Sequence, residues 1–211
     1  MEQWPKFADD LFRLAHDREQ LFVDRHLAAV GLACAVLAEL GVADRVAVER
    51  DRLVVIDQRP PPDALAHTVL EKVASEPDPL TPQDWMRYLS EDIYDQVAQR
   101  MIQSGDLRKV TKHGRLFGRS RTVYEPTDNN RAYWPTARLN TSVQRGRDFD
   151  AFDRVLVGLC LSSGVYQKVF TEAPRYVVDQ LIATSHQSRP PVPALLSALD
   201  SLGGTTILIH P

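Results

Sequence analysis

The stretch "RKVTKHGRLFGRSRTVYEP", residues 108–126, holds six Lys or Arg in its first fourteen positions and no carboxylate among those fourteen. Ammonium and guanidinium groups at this density, Arg108, Lys109, Lys112, Arg115, Arg119 and Arg121, suit a polyanion, because each donates charge-assisted hydrogen bonds to phosphate oxygens. Leu116 and Phe117 lie between Arg115 and Arg119, an apolar pair flanked by cations. On an anionic bilayer the arginines would meet phosphate while the pair enters among the headgroups. The plainer alternative is that Leu116 and Phe117 pack onto the protein itself or a neighbouring subunit.

Charge is unevenly spread. Residues 108–147 contain ten Lys or Arg and two acids, Glu125 and Asp128, a local balance of +8 in a chain of 211 residues whose net charge is -3. Such asymmetry marks a face that meets nucleic acid or an anionic membrane. The competing reading is a solvated face whose arginines pair with acids from elsewhere in the fold.

The elements that must position this stretch are mostly helical. "KFADDLFRLAH" has an apolar stripe, with Asp9 and Asp10 favouring the first turn. A loop, "DREQLFVD", leads to a helix over residues 27–40 that is apolar nearly all round and belongs at the centre. Glu39 and the alanine content make it a core helix rather than a membrane span. "RVAVERDRLVVID" alternates about a turn at residues 50–52 and predicts a hairpin. Leu65, Val69 and Val73 mark the next helix. Thr81, Pro82 and Asp84 then read as N-cap, N1 and N3 of another, which places Trp85 and Leu89 on one face. Ile93, Val97 and Met101 form the stripe of a helix that Gly105 stops. The basic stretch follows, and its arms "LRKV" and "RTVY" predict a second hairpin around residues 114–118. Helices resume after Asp128, in "FDAFDRVLVGLCLSSGVYQKVF" and "APRYVVDQLIATS"; "TTILIHP" could form a short strand. The expected fold class is mainly α: one compact helical domain spanning residues 1–211, with an apolar central bundle, surrounding amphipathic helices and projecting β-hairpins.

Catalytic motifs do not emerge. No glycine-rich phosphate loop, nucleophile elbow, HxxxH or CxxC spacing is present, so neither enzymatic activity, a metal site nor a cofactor is expected. Asp148, Asp150 and Asp153 in "RDFDAFD" read as helix N-terminal carboxylates rather than cation ligands. Cys34 and Cys160, each inside an apolar run, read as reduced core thiols. With no secretory signal pattern at the N-terminus, a cytoplasmic location is expected. A helix followed by a basic hairpin also suits a winged-helix nucleic-acid binder. Glu91, Asp92, Asp95 and Asp106 against Arg100 make that helix a poor match for phosphate, so nucleic acid is the less favoured partner.

Five short motifs in order resemble the Golgi phosphoprotein 3 family: "DDLFRLAHDRE", "GLACAVLAELGVADRVAVE", "PQDWMRYLSE", "VAQRMIQSGDLRK" and "DRVLVGLCLSSGVYQKVF", spread over residues 8–185. The resemblance implies a helical domain with a projecting hairpin, and a peripheral membrane adaptor rather than an enzyme. In the family, phosphatidylinositol 4-phosphate is bound, and eukaryotic members retain glycosyltransferases through short cytosolic tails. At the family's headgroup Trp this chain has Asp24 or Arg25, at its central-helix Arg it has Ala33, and at its Arg-x-x-Arg pair it has Glu91 and Tyr94. The headgroup pocket is therefore expected to be lost, since a carboxylate in place of arginine repels phosphate. What remains is a bacterial-type relative, cytoplasmic and peripheral on the inner membrane face. It would contact anionic phospholipid through the hairpin, with an unidentified protein client and homo-oligomerisation through the hairpin as a further possibility.

Overall fold

Burial of an unbroken apolar surface organises the fold around one helix. In the computed structural model, which describes residues 4–17, 20–112, 121–171, 174–185 and 187–203, α2 (Arg25–Val42) is buried from Ala28 to Gly41. By length and hydropathy α2 would cross a membrane, yet most of it is enclosed by protein. Its N-cap is Asp24, whose carboxylate accepts from the backbone N–H of His26 at 2.8 Å. Around it pack α1 (Phe7–Ala15), α3 (Ala64–Ser75), α4 (Pro82–Leu89), α5 (Ile93–Gln103), α7 (Ala151–Ser162) and α10 (Val192–Gly203). The remaining helices are α6 (Asn129–Gln144), α8 (Tyr166–Val169) and α9 (Arg175–Ser185). The fold is mainly α, as expected.

Local signals read from the sequence act as described. Thr81 caps α4 by accepting from the Asp84 N–H at 3.1 Å, with Pro82 at N1. Ile93, Val97 and Met101 are fully buried. Asp150 caps α7 through the Asp153 N–H at 2.7 Å, so the "RDFDAFD" acids are helix-start groups, and Asp153 is further paired with Arg138 at 2.7 Å. Cys34 and Cys160 are buried free thiols. Two differences have plain causes. "FDAFDRVLVGLCLSSGVYQKVF" is two helices, α7 and α8, because Gly164 adopts φ +76 between them. Paired two-residue strands, β1 (His16–Asp17) and β2 (Gln20–Leu21), open the segment "DREQLFVD". "TTILIHP" lies outside the described residues.

The two expected hairpins form. β3 (Val46–Glu49) pairs with β4 (Arg52–Val55) across Arg50 and Asp51, both at positive φ, which matches the turn to the strand twist. β5 (Leu107–Lys112) pairs with β6 (Arg121–Pro126).

A buried ion network ties the helices together. Arg100 of α5 reaches Asp9 of α1 at 2.7 Å, Glu39 of α2 at 2.9 Å and Asp63, the α3 N-cap, at 3.2 Å. Glu39 also accepts the Ala8 N–H at 2.9 Å, which fixes the start of α1. Burial raises the Asp9 and Glu39 carboxyls above the ordinary range, and the Arg100 guanidinium opposes that rise.

Candidate functional site

The basic hairpin grows directly from the end of α5. Gly105, at φ +78, turns the chain, and the Asp106 N–H returns to Met101 O at 2.8 Å. Asp106 is then gripped by Arg13 and Arg131, each at 2.9 Å, which pins the hairpin base to α1 and α6. The ladder runs for six pairs, from Leu107 with Pro126 to Lys112 with Arg121.

Because opposed residues share a face, the two sides of the ladder differ. Arg108, Lys112 and Glu125 lie on one. Glu125 receives Arg108 at 2.7 Å and Lys112 at 3.2 Å, and the Arg108 hydrogen bonds hold its carboxyl below the usual range. Lys109 lies on the other, exposed and opposite Tyr124. Leu107, Tyr124 and Pro126 of that second side line a cleft with Phe12, Arg13, His16, Arg131, Ala132 and Tyr133. Arg115, Leu116, Phe117 and Arg119 lie outside the described residues.

An aromatic cluster fills the region beside the cleft. Phe12 and His16 stack at 4.2 Å between ring centroids, and Tyr94 lies 5.2 Å from Phe12. His16 donates from Nδ1 to Phe12 O at 2.6 Å, which leaves Nε2 to accept the Tyr94 hydroxyl at 2.8 Å. Burial pushes His16 down to about 4, so the imidazole is neutral at pH 7. Tyr124 donates to Asp95 at 2.8 Å, and burial pushes both Tyr94 and Tyr124 up to about 12.

The family headgroup positions divide between this cluster and elsewhere. Arg25 and Tyr94 come together, the guanidinium 4.2 Å from the ring centroid, with Asp95 accepting from Arg25 at 2.9 Å. Asp24 is adjacent, committed to capping α2. Ala33 is fully buried in the core, and Glu91 is exposed in the turn before α5. The ion network at Arg100 and the neutral His16 were not anticipated. For the first, the signal present was Glu39, a carboxylate in an otherwise apolar core helix.

Residues 7–202 match the family described as Golgi phosphoprotein 3 (GPP34). The chain belongs to that family. No curated protein sequence matches it. The match spans nearly the whole chain, and the hairpin, the aromatic cluster and the Arg100 network all fall within it. Golgi phosphoprotein 3 proteins are non-enzymatic adaptors. Among the described residues of this member, no group of three or more His, Cys, Asp or Glu side chains is placed to hold a metal ion.

Proposed function

We propose that this Golgi phosphoprotein 3 family member is a non-enzymatic adaptor that associates peripherally with anionic phospholipid at the cytoplasmic face of a membrane. The β5–β6 hairpin is its contact element. The observation that carries the reading is the ladder itself. Its distal pair joins two basic residues, Lys112 and Arg121, and leads into a segment with Arg115 and Arg119 around Leu116 and Phe117. Glu125 offsets Arg108 and Lys112, and in the sequence that follows residues 113–120 add two arginines and no carboxylate. Each basic residue near an anionic leaflet contributes about 1 kcal/mol, and the apolar pair adds a shallow anchor.

Headgroup selectivity is not part of the proposal. The family headgroup positions supply one arginine, Arg25, already engaged by Asp95 and the Tyr94 ring, while Asp24 and Glu91 bring negative charge. A phosphate entering there would compete with a carboxylate.

Co-sedimentation with neutral, anionic and phosphoinositide-containing vesicles across a salt series, with duplex DNA as competitor, tests the reading. Salt-sensitive binding to any anionic vesicle, lost in the Leu116→Ser, Phe117→Ser double variant, is the expected result. Strict dependence on phosphoinositide would overturn the account of the headgroup positions. DNA binding without vesicle binding would overturn the membrane reading itself.

A further inference from the structure

Helix α6 presents two adjacent aromatic side chains to water: Tyr133 is 42% exposed and Trp134 61% exposed. Both rings are amphipathic, with an apolar body and a polar N–H or O–H, the chemistry suited to the zone between lipid headgroups and acyl chains. Their surroundings favour a negatively charged surface. Residues 129–147 contain four arginines and no carboxylate. Arg138 is held inward by Asp153 at 2.7 Å, whereas Arg131, paired with Asp106 at 2.9 Å, and Arg145 are exposed. At 3.6 residues per turn, Thr141 and Arg145 fall within roughly 20° of the Trp134 direction, so one face carries the indole and, three turns on, a guanidinium.

Position adds a second argument. Arg131, Ala132 and Tyr133 share a cleft with Leu107, Tyr124 and Pro126 at the base of the basic hairpin, so α6 starts where the hairpin ends. The Tyr133 hydroxyl donates to Asp17 of β1 at 3.5 Å, and Phe22, 48% exposed, follows β2 of the same small hairpin. Asp17 thus has a neutral donor, and Asp128 is occupied in capping α6 through the Asn130 N–H at 2.8 Å.

We propose that α6 is a second membrane-contact element. Trp134 enters the headgroup zone of an anionic bilayer, Tyr133 borders it, and Arg145 meets lipid phosphate from the same helical face. The inference rests on the membrane reading above and deepens it: the protein lies on the surface along α6 as well as touching it with the hairpin.

Tryptophan emission tests this without altering the core. The other indoles are Trp85, buried, and Trp4, half-buried, so the difference between the natural protein and Trp134→Phe isolates Trp134. The probe is a vesicle of phosphatidylcholine and phosphatidylserine with brominated acyl chains. The expected result is a blue shift and quenching of the natural protein that are missing in Trp134→Phe, and a roughly tenfold weaker partition for Trp134→Ala. Salt-sensitive co-sedimentation with unshifted, unquenched Trp134 emission and unchanged partition of Trp134→Ala would overturn this inference and leave the hairpin reading standing. No vesicle binding by either protein would overturn both.

Discussion

The Arg100 guanidinium and the Glu39 carboxylate meet in the protein interior as a forked pair, Nη1 to Oε2 at 2.9 Å and Nη2 to Oε1 at 3.1 Å, although 61 residues separate them. Asp9 and Asp63 complete the cluster from two further helices, and Lys6 approaches both at 3.9 and 3.8 Å. One cation at the centre of three carboxylates fixes how α1, α2, α3 and α5 dock, because any sliding of a helix would strand a buried charge.

Arg100→Met should therefore be costly. The thioether fills much of the volume but leaves Glu39, fully buried, without its counter-charge and Asp9 with the more distant Lys6 at 3.9 Å. Removing one partner of a buried pair costs about 3–5 kcal/mol. Urea unfolding checks it, and a loss below about 1 kcal/mol would show that the network contributes little to stability.

His16 gives a second handle. Its pKa falls from an ordinary value near 6.5 to about 4, chiefly through burial. The unfolded chain therefore binds a proton that the folded chain refuses between those values. The contribution to stability is present above pH 6.5 and lost as pH falls through about 4, and a shift of this size corresponds to roughly 3 kcal/mol. The raised Asp9 and Glu39 carboxyls contribute the opposite slope as pH rises through their folded values, but they are common to both proteins in the comparison. Unfolding free energies measured from pH 7 to pH 4 should fall more steeply for the natural protein than for His16→Phe. Parallel curves would remove His16 from the account.

How much of this was legible beforehand follows the range of each interaction. Caps, stripes and turns are local, so Thr81, Pro82, Gly105 and the Arg50–Asp51 turn were readable from neighbours. The Arg100 cluster was not, since its members lie 37 to 91 residues from it and only Glu39, set in an apolar core helix, stands out from an ordinary surface charge. Helix α10 lies in "PPVPALLSALDSLG", whose opening prolines give a weak local signal; with Val192, Leu195 and Leu199 fully buried, packing on α2 and α7 settles what that signal leaves open. At the candidate site the basic residues were evident from composition. Their division between the two faces of the ladder, and the pairing of Arg25 with Tyr94, depended on register and on helix docking.

Two glycines should respond differently to alanine. A Cβ at Gly158 in α7 would come within 2.4 Å of Leu196 Cδ1 and 3.1 Å of Ser185 Cβ, so the buried Leu196 side chain would have to move and Ser185 to give way slightly. Overpacking of this kind costs about 1–3 kcal/mol. At Gly105 nothing lies within 4 Å, and the penalty comes from φ +78 alone, about 1 kcal/mol. Thermal melts of the two variants should rank Gly158→Ala below Gly105→Ala; the reverse order would mean that the turn into the hairpin is under greater constraint than the core contact.

Glu125→Gln tests the hairpin from the side opposite to arginine removal. Glu125 holds Arg108 at 2.7 Å and Lys112 at 3.2 Å, and its lowered carboxyl pKa keeps it ionised at any pH suited to vesicle binding. Neutralising it withdraws a negative charge from the surface and loosens the hold on Arg108. Exposed ion pairs contribute little to folding, so the melting temperature should barely move. Partition onto anionic vesicles should tighten about fivefold, the equivalent of one extra basic residue, with a steeper dependence on salt. Weaker binding would be the informative failure. It would mean that Glu125 holds Arg108 and Lys112 in the geometry that meets the surface, and that orientation rather than net charge governs the contact.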